Sequence, residues 1–189
     1  EGWCQAKVSY AIHLSEEGKI TGIVSLKQAE ERGNKTVYVS APRMVPEMVT
    51  RSSGVAANFL CDNSKYMLGI DKEGTNKRIL ECFQAARERH QTLPKGVPGK
   101  MAETVLRFFE NWDPEKAAEC SAVEENWEDL TDGGNLIFCI GMQEAQEDAS
   151  IRDAWDNAQS SGGDAAMGIC LVTGKKTEIS RIHRTIKGV

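Results

Sequence analysis

An α+β fold, an antiparallel sheet with a helical middle segment packed on it, is what this chain predicts. Three observations carry the expectation: apolar and polar residues alternate near the start, apolar residues recur at helical spacing across the middle, and a continuous apolar run returns at Leu136. Alternation with period two marks a half-buried strand, and recurrence every three to four residues marks an amphipathic helix. Strands gathered first and helices after them favour α+β over an alternating α/β sheet.

Lys7 to Leu14 sets Val8, Tyr10, Ile12 and Leu14 on one face, and Ile20 to Leu26 alternates nearly as well. With Ser15-Glu16-Glu17-Gly18 between them, the pair reads as a hairpin. His13 falls on the polar face. Lys27 to Lys35 reads as a charged loop ending near Gly33-Asn34, and Thr36 to Val39 as a third strand. Pro42 and Pro46 forbid a long helix and hold the approach to Thr50 extended. Tyr66 to Ile70 reads as another short strand. Thr75 is the expected cap of a helix running to about Gln91, with Ile79, Phe83 and Ala86 inward and His90 at its end, where a cation meets the helix dipole.

Leu93 to Gly99 breaks the chain before a second helix with Met101, Val105, Phe108, Phe109 and Trp112 at core spacing. Pro114 and Ser121 mark two further starts. Ser121 and Glu124 have capping-box spacing, with Val123, Trp127 and Leu130 inward. Leu136 to Ile140 predicts a buried strand. Ile151, Ala154, Trp155 and Ala158 predict a helix that ends in Ser160-Ser161-Gly162-Gly163, and Ile169 to Val172 predicts a last strand. The 189 residues fit one domain, 1–189, with a helical subregion at about 75–131.

The hydrophobic fraction is 40% and the charged fraction 27%, and no apolar run reaches the roughly 20 residues of a membrane span. Six cysteines, Cys4, Cys61, Cys82, Cys120, Cys139 and Cys170, form no CxxC pair, so buried free thiols in a reducing cytoplasm are expected. A formal net charge of -5 argues against nucleic-acid binding by bulk electrostatics. The charge is uneven, however. Glu110 to Asp148 holds twelve acids against Lys116 alone, whereas Gly168 to Val189 sets Lys175, Lys176, Arg181, Arg184 and Lys187 against Glu178. One face is therefore expected to repel phosphate and another to attract it.

Thr50 to Gly69 is the candidate site. Arg51, Ser52, Ser53, Gly54, Asn58, Asn63 and Lys65 surround a short apolar core of Val55, Phe59 and Leu60, a mixture suited to recognition. The plainer alternative is that Ser53 caps a short helix and Asn63 shapes a turn. Gly168 to Lys176 invites comparison with a phosphate-binding P-loop and fails it: Lys175 is followed by Lys176 rather than Ser or Thr, and the strand runs through the segment. A tight turn at Gly174 with two exposed lysines fits better. Neither a GxSxG elbow nor an HExxH pair appears, and His13, His90 and His183 are too separated to argue for a triad.

Arg51-Ser52-Ser53-Gly54, then Asn58 to Asn63 with Tyr66 and Gly69, resembles the N-terminal part of the large subunit of the type I-C CRISPR Cascade effector. Gly168 to Lys176, followed by Ile179, Arg181-Ile182-His183 and Ile186-Lys187-Gly188, is similar to the same family at the matching distance. Gly133 to Phe138 and Ile151 to Trp155 lie between and are similar too. Family members begin before a position like Glu1 and continue past Val189, so the chain is expected to be the N-terminal domain of a longer large subunit.

The resemblance implies recognition of the PAM and binding of target double-stranded DNA in an RNA-guided antiviral complex. The implied partners are CRISPR RNA, other Cascade subunits and a recruited helicase-nuclease, with no cofactor, no metal and no catalytic residue. On that reading Arg51, Ser52, Ser53, Asn58, Asn63 and Lys65 face the duplex, where Asn amides and Arg or Lys can reach base edges or phosphates. Asn58 has the alternative of turning inward to brace the loop. Lys175, Lys176, Arg181, His183, Arg184 and Lys187 contact phosphate, and the two segments meet as one cationic ledge. Two rivals stand beside this: a metal-independent CRISPR RNA-processing ribonuclease using His183 as general acid, and a purely architectural protein-binding subunit.

Overall fold

The first strand is the one on which the others assemble. In the computed structural model, which describes residues 2–93, 95–161, 167–169 and 176–178, β1 (Trp3–Leu14) has partners on both edges. β2 (Ile20–Ser25) pairs antiparallel with its C-terminal half, Tyr10 opposite Ser25. The chain then leaves as a separate ribbon of β3 (Gln28–Arg32) and β4 (Lys35–Val39) and returns as β5 (Ala41–Pro46), antiparallel to the N-terminal half of β1.

One expectation changes here and one is refined. Lys27 to Lys35 is mostly strand rather than loop: Gly33-Asn34 is a two-residue hairpin turn, and the ribbon is so exposed that its charges never show a core-facing alternation. Pro42 and Pro46 do hold an extended segment, in the form of a ladder strand at the sheet margin, where a missing N–H is tolerated.

After β6 (Cys61–Asp62) comes a helical turn, α1 (Ser64–Met67), where a strand over Tyr66 to Ile70 was expected. Tyr66, Met67, Leu68 and Ile70 are all buried, so the segment has no solvent face to alternate with. Trp112 Nε1 donates to the Leu68 carbonyl at 2.8 Å and pins the end of the turn. α2 (Lys77–Thr92) is capped by Asn76 rather than Thr75, Oδ1 accepting from the Ile79 N–H at 3.1 Å.

α3 (Lys100–Asn111) buries Met101, Val105, Phe108 and Phe109 as predicted. A 3-10 turn over Pro114–Glu119 leads to α4 (Ser121–Glu125) and α5 (Trp127–Leu130). The helix expected to run from Ser121 breaks at Asn126, whose amide bonds back to the Ala122 carbonyl at 2.8 Å. Its cap position is Cys120, so Ser121 and Glu124 form no capping box.

β7 (Asn135–Ile140) inserts between β1 and β6, antiparallel to β6 but parallel to β1, with Ile12 opposite Phe138. The sheet is therefore mixed where a wholly antiparallel one was expected. Parallel neighbours need a long crossover, and here it comprises everything from β2 to α5. β8 (Gln143–Glu144) folds back on β7, and α6 (Ala149–Ser161) follows. β9 (Met167–Ile169) and β10 (Lys176–Glu178) pair antiparallel; the rest of the strand expected over Ile169 to Val172 lies outside the described residues.

Tyr10, Ile12, Leu14, Leu136 and Phe138 meet Phe83, Phe108, Phe109, Ile151 and Trp155 in the main core on one sheet face. Ala11, Cys61, Ile137 and Cys139 belong to a smaller cluster on the other, as strand alternation requires. Each fully buried large side chain in this core contributes roughly 2–3 kcal/mol. All four tryptophans donate their indole N–H to another group of the chain, Trp155 and Trp112 within or at the edge of the core and Trp3 and Trp127 at the surface, which suits anchors better than stacking platforms. The five described cysteines are free, and burial pushes the Cys61 thiol up to about 12, so it is inert. No helix among the described residues is long and apolar enough to cross a membrane.

Candidate nucleic-acid interface

The stretch from Val49 to Asp62 is a surface loop that closes on its own buried side chains. Asp62 lies at its far end with its side chain 1% exposed and gathers four donors. Arg51 grips it with both terminal nitrogens, Nη1 at 2.9 Å, while the backbone N–H groups of Asn58 and Asn63 each donate to it at 2.9 Å. Arg51 also donates through Nε to the Ala56 carbonyl and holds its Cζ over the Tyr66 ring, 3.9 Å from the centroid. Burial pulls the Arg51 pKa down, but the Asp62 carboxylate more than offsets this and leaves it raised. Arg51 is thus spent on holding the loop.

Asn58 takes the inward alternative. It is 2% exposed, and its Oδ1 accepts from the Val49 N–H at 2.8 Å, tying the two limbs of the loop together. Beneath them, His90 Nε2 accepts from the Leu60 N–H at 2.9 Å. The backbone can only donate, so the imidazole proton sits on Nδ1, which donates to the Ala86 carbonyl at 2.7 Å. The expectation of a charged His90 at a helix end is therefore overturned: the ring is fully buried, stacks on Phe109 at 4.3 Å, and is held neutral by burial.

What the loop offers outward is its tip. Ser52, Ser53 and Gly54 are exposed, as is Lys65 just beyond. Asn63 is half-buried; its Oδ1 accepts from the Lys65 N–H at 3.1 Å, which caps α1. Ser53 caps no helix. Its carbonyl accepts instead from Arg78 Nη2 at 3.1 Å, and Arg78 with Lys77 forms a basic first turn of α2 beside the tip. Asp62, Arg78 and His90 are the residues whose roles at the loop the sequence reading missed. Arg78 adjoins the cap of a predicted helix and was legible; the Asp62 network depends on a folded loop and was not.

Among the phosphate-contact candidates, Lys175, Arg181, His183, Arg184 and Lys187 lie outside the described residues. Lys176 is placed only by its backbone, opposite Ile169. The expected ledge lies outside them too. Most of the acids between Glu110 and Asp148 are exposed, but Glu144 pairs with Arg43 at 2.9 Å and Asp148 caps Ile151, so these two are structural.

A family model described as CRISPR-associated protein (Cas_Csd1) matches residues 1–189. No curated protein matches the chain.

Proposed function

The chain belongs to the Cas_Csd1 family of CRISPR-associated proteins, and from that premise we propose that it reads the PAM on target double-stranded DNA within a type I-C surveillance complex. The observation that supports this reading is the division of labour in the loop: Arg51, Asn58, Asp62 and His90 hold its inside, so Ser52, Ser53, Asn63 and Lys65 are presented outward from a rigid base. A recognition surface that is ordered before binding loses little entropy on contact.

Ser52 and Ser53 suit phosphate oxygens or base edges, the Asn63 amide suits a base edge, and Lys65 suits a phosphate. The exchange of DNA pairing for RNA pairing is nearly balanced, so a few kcal/mol of protein contact decides where strand separation begins. In this reading the guide RNA and other complex subunits supply most of the affinity, and cutting falls to a recruited helicase-nuclease. No catalytic role is assigned to this chain.

The test is target choice by the assembled complex. Asn63→Ala should relax discrimination at the adjacent motif by about tenfold, the scale of one lost base contact. Lys65→Ala should weaken all targets alike. An Asn63→Ala complex with unaltered discrimination would sink the proposal.

A further inference from the structure

We propose that the Arg89 guanidinium forms a phosphate subsite, receiving one backbone phosphodiester of a nucleic-acid strand that passes along the flank of the Val49 to Asp62 loop. The ligand class rests on the reading of that loop as a nucleic-acid surface; the vacancy of the cation does not. Arg89 stands on α2 next to His90, with Cζ 5.7 Å from the centroid of the Trp155 ring. Trp155 in turn stacks on Phe59 of the loop at 5.3 Å, so the guanidinium lies against the loop's own anchor.

Among the described residues, Arg89 is a charge with no ion-pair or hydrogen-bond partner of its own. Its Nε is closed to solvent and meets no acceptor, and no ion pair among the described residues includes it. Burial pushes its pKa down, opposed by the charge of Asp62. That carboxylate is already committed to Arg51 and to the N–H groups of Asn58 and Asn63. Two guanidiniums therefore act on one carboxylate, and positive charge is left over at the base of the loop. An arginine does not shed its proton to escape burial, so the molecule keeps a cation whose desolvation the shared Asp62 charge and the Trp155 face offset only in part. A phosphate oxygen pair matches the guanidinium fork, and the indole beneath holds its plane.

The phosphodiester has two sources, target DNA or guide RNA, and both are tested with the full chain in its complex. Binding of a target duplex and loading of guide RNA are each followed across salt concentration for the parent protein, Arg89→Gln and Arg89→Lys. In one arm, Arg89→Gln should weaken binding by about 3- to 10-fold and lower the salt slope by about one phosphate contact. The arm that responds names the source. Arg89→Lys should restore most of the slope, and the melting temperature of Arg89→Gln should hold or rise, because an uncompensated charge has gone.

Unchanged salt slopes in both arms overturn the subsite. So does a slope change confined to a variant whose melting temperature has dropped, because Arg89 would then be a brace for Trp155. Discrimination between targets is a separate readout. A lost slope with the Asn63→Ala effect absent sinks the loop reading alone, and an unchanged slope with that effect present sinks the subsite alone.

Discussion

His90 Nε2 accepts the Leu60 N–H at 2.9 Å, a bond that joins the last turn of α2 to the inner limb of the surface loop. Leu60 has φ 60°, the only positive value among the described non-glycine residues, and is fully buried. A bulky residue held there costs about 1–3 kcal/mol, which the histidine bond and the burial offset. The ring that receives the bond is walled by Phe59, Phe109 and Phe138. A neutral imidazole is therefore one of the ties that hold the loop, beside the Asp62 network.

Acid should loosen this clasp. Burial lowers the His90 pKa, the Ala86 carbonyl opposes it and the Arg89 charge adds to it, leaving about 4 against an ordinary 6.5. Between those values the unfolded chain binds more protons than the folded one, so stability is full above pH 6.5 and falls as pH drops to about 4, by about 3 kcal/mol in all. Urea melts across that window check it. His90→Gln keeps an acceptor for Leu60 without titrating, so its stability should fall less steeply with acid; parallel curves for the two proteins would refute the assignment.

Removing the buried carboxylate should cost more than altering its partner. Asp62→Ala strands a guanidinium with only 23% of its side chain exposed, together with two backbone donors, and should destabilise by about 3–5 kcal/mol. Arg51→Lys keeps the charge but loses the fork and the contact with Tyr66, and should cost about half as much. An Asp62→Ala midpoint within about 1 kcal/mol of the parent would show that the loop is held by something else.

Asn58 and Asn63 should part company. Asn58→Ala leaves the Val49 N–H without its acceptor and should cost about 1–3 kcal/mol, weakening binding to every target sequence by the same factor. Selective loss of one target class by Asn58→Ala, with stability intact, would mean that its side chain turns outward in the complex.

Local patterning reached most of the elements and few of the contacts that matter. Ile79, Phe83, Ala86 and His90 continue a single helical stripe, so the burial of His90 was legible in its spacing. Its partner was not, because Leu60 lies 30 residues earlier in a loop that no periodicity describes. The β1–β7 ladder escaped for a similar reason: parallel pairing leaves no turn signal, and Ile12 and Phe138 are joined only through the whole helical middle. Arg51 and Asp62 were visible as opposite charges flanking a short apolar core, yet the cation read as a ligand contact because sequence does not reveal which charges neutralise each other.

Gly69 provides a test of packing next to the loop. It turns α1 toward α2 at φ 69°, and a Cβ built there would lie 2.5 Å from Pro114 Cγ and 3.1 Å from Phe83 Cβ. Gly69→Ala should thus meet two penalties: about 1–2 kcal/mol for a left-handed L residue, and a further 1–3 kcal/mol or so because a proline ring cannot rotate aside. Gly33 separates them. It has φ 64° with nothing within 4 Å of a built Cβ, so Gly33→Ala should show the backbone penalty alone. Thermal melts of the two variants should therefore differ by the overlap term. Equal losses would mean that Pro114 yields freely, and that the α1 turn carrying Tyr66 beneath Arg51 is not held from below.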